Sequence, residues 1–175
     1  MIIVRDSREQ LGYDFDRFEG VTVHRAALES GDYSLPGHEH LVAVERKELN
    51  DLIGCLTTGR ERFKKELHRL RPYHLKAVVV EASMEDISRG RYKSQMAPQA
   101  ALQSCMAFMV RYSIPFLFAG NRRGGEYVTH GLLWKYQQEL EKQLSAINKQ
   151  TRRIEDERNT DEHGTPVGMC EVKIA

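Results

Sequence analysis

Two carboxylates and a lysine are close together in the segment from Gly31 to Asp51, GDYSLPGHEHLVAVERKELND. Asp32 directly follows a glycine, and Glu45 and Lys47 belong to a Glu-Arg-Lys triplet. Carboxylate oxygens are the ligands that Mg²⁺ prefers, and a nearby amine can orient a nucleophilic water. These residue types therefore suit metal-assisted hydrolysis, provided that the chain folds them into one place.

A β-hairpin is the element that would bring them together. A Tyr-Ser-Leu run precedes a turn at Pro36-Gly37, and the apolar run Leu41–Val44 follows it. Asp32 would lie on the first strand, and the triplet on the second. Side chains alternate along a strand, so Glu45 and Lys47 share one face and Arg46 lies on the other. By spacing alone, a solvated surface hairpin remains an alternative, because charged residues are mostly exposed.

The start of the chain strengthens the first interpretation. Ile2-Ile3-Val4 predicts a buried strand, and Asp6-Ser7-Arg8-Glu9 follows at its carboxyl end. With the blocks V-x-D-S-R-E, G-D and E-R-K-x-x-x-D in this order, the chain resembles the nuclease domain of the XPF family of structure-specific DNA endonucleases. That family belongs to the PD-(D/E)xK nuclease superfamily. The resemblance continues through Gly59-Arg60, Ala77–Glu81 and Ile114–Phe118 and covers roughly residues 1–145.

The resemblance implies an α/β fold with a restriction-endonuclease-like core, in which a central mixed β-sheet is flanked by helices. Alternation of strands and helices along the chain predicts the same architecture. We expect a nuclease domain at residues 1–150 and a polar, flexible tail at residues 151–175. The predicted helices cover Arg60–Arg71, the segment from Pro98 and about Tyr127–Gln150, and Gly120–Gly125 is expected to form a turn. The helix from Pro98 would bury Leu102, Cys105, Met106, Met109 and Val110, and Trp134 is expected in the core.

Individual roles follow from the chemistry of phosphodiester hydrolysis. Asp32 and Glu45 are the predicted ligands of Mg²⁺, or of Mn²⁺ as a substitute, with the backbone carbonyl of Arg46 as a third. Lys47 would orient or polarise the attacking water. Burial would lower the pKa of Lys47 and the neighbouring carboxylates would raise it, and both directions remain open. Asp51 would either fix Lys47 or Arg46, or cap the next helix. Asn50 is the alternative cap of that helix.

The resemblance adds three residues at the end of the first strand. Asp6 and Glu9 would supply carboxylates to a second metal or around the first, which makes Glu9 a further candidate ligand. Arg8 would contact a phosphate or brace the carboxylates. Arg46 would form either a structural ion pair or a DNA contact.

A basic helix supplies the candidate DNA contacts. Residues 60–76 contain seven Lys and Arg against two Glu, although the whole chain has a net charge of only +1. Arg60 and Lys64 lie on one face of this helix and are predicted to contact DNA phosphates, which position a substrate without reading its sequence. A solvated helix face is the alternative.

The remaining features limit the class of protein. Three widely spaced cysteines without a C-x-x-C motif argue against a disulfide framework or a zinc ribbon. No apolar run is long enough to span a membrane and no signal peptide is visible, so we expect a cytoplasmic protein, or a nuclear one in a eukaryote.

Many XPF-type proteins carry a helicase domain before the nuclease domain and helix-hairpin-helix units after it. We expect neither in this protein, and therefore a phage, prophage or plasmid origin. A homodimer or a partner protein could then supply the DNA-binding units.

These observations favour a metal-dependent DNA endonuclease acting on branched or flapped DNA in repair or recombination. The alternatives are a non-catalytic DNA-binding or scaffold subunit, an RNA nuclease and a restriction-type enzyme.

Overall fold

A six-stranded mixed sheet organises the protein, as seen in a computed structural model that describes residues 1–162, with the side chains of 159–162 left out. The strands are β1 (Ile2–Asp6), β2 (Thr22–Ala26), β3 (Tyr33–Ser34), β4 (Val42–Lys47), β5 (Leu75–Val80) and β6 (Phe116–Phe118). The helices are α1 (Leu49–Leu56), α2 (Arg60–Leu70), α3 (Met84–Ser88), α4 (Pro98–Tyr112) and α5 (Arg122–Glu162). None of the described helices is long and apolar enough to cross a membrane.

The short strand β3 joins two parallel parts of the sheet. The strand order is β2-β1-β3-β4-β5-β6, with β1 parallel to β2, and β4, β5 and β6 parallel to one another. β3 is antiparallel to both of its neighbours. The carboxyl ends of β1, β4 and β5 therefore lie at one edge of the sheet, where Asp6, Lys47 and Glu81 are found. The predicted α/β core with a mixed sheet between helices is confirmed.

Apolar side chains cover both faces of the sheet. On one face, α1, α2 and α4 pack around Phe63, Leu67 and Phe108 against alternate residues of β4 and β5. On the other face, Tyr13, Tyr33 and the first part of α5 form a second core. The central strands read as continuous apolar runs because they are covered on both sides.

Three details of the predicted packing are wrong. In α4, Met106 and Val110 are exposed, and the helix buries Ala101, Phe108 and Tyr112 together with Cys105, whose predicted burial is confirmed. These four fall at spacings of three and four residues, which is the periodicity of a helix face. Trp134 is also exposed, because Leu133 takes the core position on α5.

The cap of α1 also differs from the prediction. Glu48, rather than Asn50 or Asp51, is the N-cap, and its carboxylate accepts hydrogen bonds from the backbone N–H groups of both residues. The helix begins two residues earlier than a cap at Asn50 would allow.

The helix α5 is longer at both ends than the predicted Tyr127–Gln150. At its start, a Cβ on Gly124 would lie 1.9 Å from the Ala119 carbonyl oxygen, and one on Gly125 would lie 2.2 Å from the Tyr13 hydroxyl. The glycines are thus needed for close packing of the first helical turn and not for a loop. At the far end, ion pairs such as Arg153–Glu157 at 3.0 Å support helix beyond Gln150.

By internal contacts the chain divides into two compact units, Met1–Tyr136 and Gln137–Ala175. The first unit contains the sheet, both cores and the candidate site. The predicted division into residues 1–150 and 151–175 stays a prediction, and residues 163–175 of that predicted tail lie outside the described residues.

Candidate active site

Asp32 directly precedes β3 and is bonded to strands on both of its sides. Its carbonyl accepts from the Asp6 N–H at 2.9 Å, whereas its own N–H donates to the Val44 carbonyl at 2.9 Å. In a regular strand both groups of one residue point to the same side, so the backbone departs from regular geometry here, as at a β-bulge. The Asp32 carboxylate then accepts from the Arg46 N–H at 2.7 Å. Asp32 is thereby fixed against both chain neighbours of Glu45.

Gly31 permits this close approach. Its φ of +76° is in the left-handed region, and a Cβ at this position would lie 3.1 Å from the Cβ of Ala43 and 3.3 Å from two backbone atoms of Val44. A side chain at residue 31 would therefore be strained and crowded. The glycine of the G-D pair thus allows the aspartate to lie against β4.

Glu45 and Lys47 share one face of β4, as alternation predicts, and form an ion pair with each other. The Lys47 ammonium also lies 3.9 Å from Glu66 and 5.6 Å from the centre of the Phe63 ring, both on α2. Burial lowers the pKa of Lys47, but the charge and hydrogen bond of Glu45 outweigh this effect and leave the pKa above its ordinary value. While it is paired with Glu45, Lys47 is therefore a charged donor at neutral pH.

The Glu45 carboxylate lies close enough to Asp32 to raise its pKa. Burial raises the pKa of Asp32 well above its ordinary value, and the negative charge of Glu45 raises it further. Both carboxylates line a groove of about 610 Å³, together with Glu9, Lys47 and residues of α1 and the turn that follows it. A cation between the carboxylates would remove the electrostatic cost of ionising them.

The donor set fits a hard divalent cation. The carbonyl of Arg46 points to the same side of β4 as its N–H, towards Asp32, because the Lys47 carbonyl accepts from Glu81 on the opposite side. Within the described residues, no three His, Cys, Asp or Glu side chains converge on one point. Mg²⁺ is commonly held by one or two carboxylates with water and substrate phosphate completing its shell, so Asp32, Glu45 and this carbonyl are sufficient.

Asp6 and Arg8 form a unit of their own. The Arg8 guanidinium donates to both oxygens of Asp6, with a shortest distance of 2.5 Å, and to the Leu28 carbonyl. Burial raises the pKa of Asp6, but the hydrogen bonds and charge of Arg8 outweigh it and hold that pKa below its ordinary range. Of the two roles predicted for Arg8, this geometry favours bracing a carboxylate.

Arg46 lies on the opposite face of β4 in a buried ion pair. Its guanidinium donates to both oxygens of Glu81, at 2.8 and 2.9 Å, and lies 3.5 Å from Glu9. Tyr13 covers it at 5.7 Å. This geometry favours the structural ion pair over the predicted DNA contact. Glu9 both lines the groove and lies near the Arg46 guanidinium, and its role as a metal ligand stays a prediction.

The arginine and lysine predicted to bind DNA do not face the groove. Arg60 donates to Ser104 and to the Leu56 carbonyl, and its guanidinium packs on the Phe108 ring at 4.8 Å. Lys64 is bonded to Glu61 at 2.6 Å. Arg60 is thus held between α2 and α4, whereas Lys64 forms a surface ion pair with Glu61, whose side chain is 79% exposed. The predicted phosphate contacts stay predictions.

A different stripe of α2 faces the carboxylates. Arg62 lines the groove of about 610 Å³, and Glu66 and Arg69 line an adjoining cavity of about 200 Å³ that also contains Asp32 and Glu45. Their spacing of four and three residues is a helix-face signal that is present in the sequence. The sequence analysis did not assign this face to the site. Which polar face of α2 lies beside the carboxylates depends on how Phe63, Leu67 and Leu70 pack against the sheet.

Asp51 lines the groove, but the described residues show no ion pair between it and Lys47 or Arg46. Its predicted capping role belongs to Glu48. Asp51 is therefore a rim carboxylate.

Comparison with known proteins identifies the family. The profile of the ERCC4 domain matches residues 5–129. The chain belongs to the ERCC4 domain family. This is a family of structure-specific DNA nucleases, so the resemblance to XPF-type nuclease domains is confirmed.

Solved structures of this family share the fold. XPF from Aeropyrum pernix superposes with a TM-score of 0.63 at 23% sequence identity, over 78% of this chain and 61% of that chain. XPF from Aeropyrum pernix in complex with DNA gives a TM-score of 0.63 at 24% identity, over 78% of this chain and 65% of that one. This ERCC4 domain protein thus spans less than two thirds of the length of either structure. No curated protein matches it.

Proposed function

We propose that this ERCC4 domain protein is a divalent-metal-dependent DNA endonuclease that hydrolyses phosphodiester bonds in branched or flapped DNA. The observation that carries the proposal is the junction of β3 and β4, where Asp32 is bonded to both neighbours of Glu45 and Lys47 lies on the same face as Glu45. The groove beside them is lined by residues of α1, of the turn after it and by Arg62 of α2, and it would have to accept the phosphodiester backbone.

Each residue has a role in this proposal. Asp32, Glu45 and the Arg46 carbonyl would hold Mg²⁺, or Mn²⁺ in its place. When bound, such an ion neutralises phosphoryl charge and lowers the pKa of a coordinated water. Lys47 donates hydrogen bonds as an ammonium ion, which suits orienting a water or stabilising a developing negative charge, and not proton abstraction.

The surrounding residues keep these groups in position. Arg8 holds the Asp6 carboxylate at the end of β1, and the Arg46–Glu81 pair fixes β4 to the end of β5. Arg62 and Arg69 on α2 supply positive charge beside the groove, where DNA phosphates would lie.

A metal-dependent nicking assay tests the proposal. The purified chain is incubated with 3′-flap, splayed-arm and linear duplex DNA in Mg²⁺, in Mn²⁺ and in a chelator. We expect cleavage of the branched substrates only with metal, and a loss of roughly 100-fold or more for Asp32→Ala. Asp16→Ala, which removes an exposed carboxylate from a loop, is the matched control and should cleave like the wild type.

Three results would contradict the proposal. Equal cleavage by wild type and Asp32→Ala would remove this site from the reaction. DNA binding without cleavage across all metals and substrates would favour a non-catalytic scaffold subunit. If single-stranded RNA is included as a further substrate, its faster cleavage would favour an RNA nuclease.

A further inference from the structure

Glu66 on α2 faces the site with a carboxylate oxygen that has no hydrogen-bond partner among the described residues. This atom, Oε2, is buried, and it lies 3.9 Å from the Lys47 ammonium. Its Oε1 lies 3.7 Å from the Arg62 guanidinium, beyond hydrogen-bond distance. A buried carboxylate oxygen left without a partner is costly, so its position near Lys47 calls for an explanation.

Lys47 lies between two carboxylates and is bonded to only one of them. It pairs with Glu45, which is also the residue placed to hold a cation, while Glu66 and Phe63, one helical turn apart on α2, lie on its other side. The Lys47 side chain is only 14% exposed, so an ammonium displaced from Glu45 could not simply turn into water. A displaced ammonium needs another carboxylate nearby.

We propose that Glu66 is a positioning residue that accepts the Lys47 ammonium when a divalent cation takes Glu45. The inference rests on the proposed function, since it assumes a cation at Asp32 and Glu45. In the absence of the ion, Lys47 neutralises Glu45; when the ion binds, the ammonium moves from Glu45 to the unpaired Oε2 of Glu66. Glu66 thereby keeps the donor of Lys47 beside the site and lowers the cost of releasing Glu45.

The exchange predicts that Glu66 affects ion binding only through Lys47. Without the Glu66 charge, the ammonium has no alternative partner and competes with the incoming cation for Glu45. If Lys47 is replaced by a neutral side chain, this competition is absent and Glu66 no longer matters. A direct ligand, or a carboxylate that acts by its charge alone, would matter in both cases.

The test is a double-mutant cycle on cation affinity, measured by calorimetric titration of the full chain with Mn²⁺ in the absence of DNA. Glu66→Gln should weaken binding by roughly 5- to 30-fold, and Glu66→Gln added to Lys47→Met should change nothing further. Glu61→Gln, an exposed carboxylate on the same helix, is the control and should bind as the wild type does. Lys47→Gln serves as a second neutral background should Lys47→Met fold poorly, and thermal unfolding of each variant confirms its fold.

The outcomes separate this inference from the proposed function. Wild-type affinity in Glu66→Gln, or an equal loss in the wild-type and Lys47→Met backgrounds, overturns the exchange while leaving the nuclease proposal in place. A wild type that binds no Mn²⁺, or one whose binding is unchanged by Asp32→Asn, overturns both.

Discussion

Breaking the Arg46–Glu81 ion pair should strongly destabilise the protein. The two side chains are only 7% and 5% exposed and are joined by two hydrogen bonds. In Glu81→Gln, the guanidinium keeps only Glu9 at 3.5 Å as an anionic partner. Removing one partner of a buried pair leaves the other charge uncompensated and typically costs about 3–5 kcal/mol. In Arg46→Met, Glu81 likewise keeps Arg122 at 3.4 Å, so we expect a loss of about 3 kcal/mol for either single variant.

The coupling between the two residues is the decisive quantity. When Arg46→Met and Glu81→Gln are combined, neither charge is left alone, so the double variant should lose about 2 kcal/mol less than the sum of the single losses. The free energy of unfolding is measured by urea denaturation followed by circular dichroism, with the slope of each transition checked against the wild type. The exposed pair Arg89–Glu85, with both side chains about 60% exposed, is the control and should show a coupling of about 0.5 kcal/mol or less.

A coupling energy below about 0.5 kcal/mol for the buried pair would refute this reasoning. Arg46 would then be available for the DNA contact that was the alternative prediction. In that case Arg46→Met should weaken DNA binding while leaving the free energy of unfolding near that of the wild type.

Three further changes test other parts of the site. Gly31→Ala should cost about 1–2 kcal/mol of unfolding free energy, because its φ is positive and its Cβ would crowd β4, and a urea midpoint equal to that of the wild type would contradict this. Since Arg8 lowers the pKa of Asp6, the pair stabilises the fold above the ordinary carboxylate pKa, and this stabilisation is lost as pH falls through the lowered pKa. The free energy of unfolding of the wild type should therefore lose its advantage over that of Asp6→Asn between pH 7 and pH 2. A difference that stays constant over this range would be inconsistent with the pairing. Arg62→Ala should reduce the slope of DNA affinity against salt concentration by about one counterion in a fluorescence anisotropy titration. Arg60→Ala should leave that slope unchanged and lower the free energy of unfolding instead. The reverse result would support the predicted phosphate contact of Arg60.

The local order of the site could be predicted from the sequence. Alternation along β4 placed Glu45 and Lys47 on one face and Arg46 on the other, because this strand is regular. The β-hairpin was predictable from its turn and its apolar runs. Every one of these features depends on neighbours within about twenty residues.

The surroundings of the α2 side chains depend on how distant elements pack. Because Phe63 packs against the sheet, Arg60 is bonded to Ser104 of α4 and Lys64 to Glu61, whereas Arg62 and Glu66 line the cavities that contain the carboxylates. The DNA contacts of Arg60 and Lys64 stay predictions. The pKa of Lys47 likewise depends on the balance between burial and a carboxylate pair. A one-dimensional pattern carries no information about that balance.

The bonding of Asp32 has a consequence for biosynthesis. Its backbone and carboxylate are bonded to β1, through Asp6, and to β4, through Val44 and Arg46. Residues separated by up to forty positions must therefore be joined before the Asp32 and Glu45 carboxylates come together. Contacts between such distant parts of a chain form late, because loop closure must precede them. A newly made or damaged chain in which β3 has not paired would therefore lack a complete cation site. The proposed nuclease would therefore be inactive until its folding is finished.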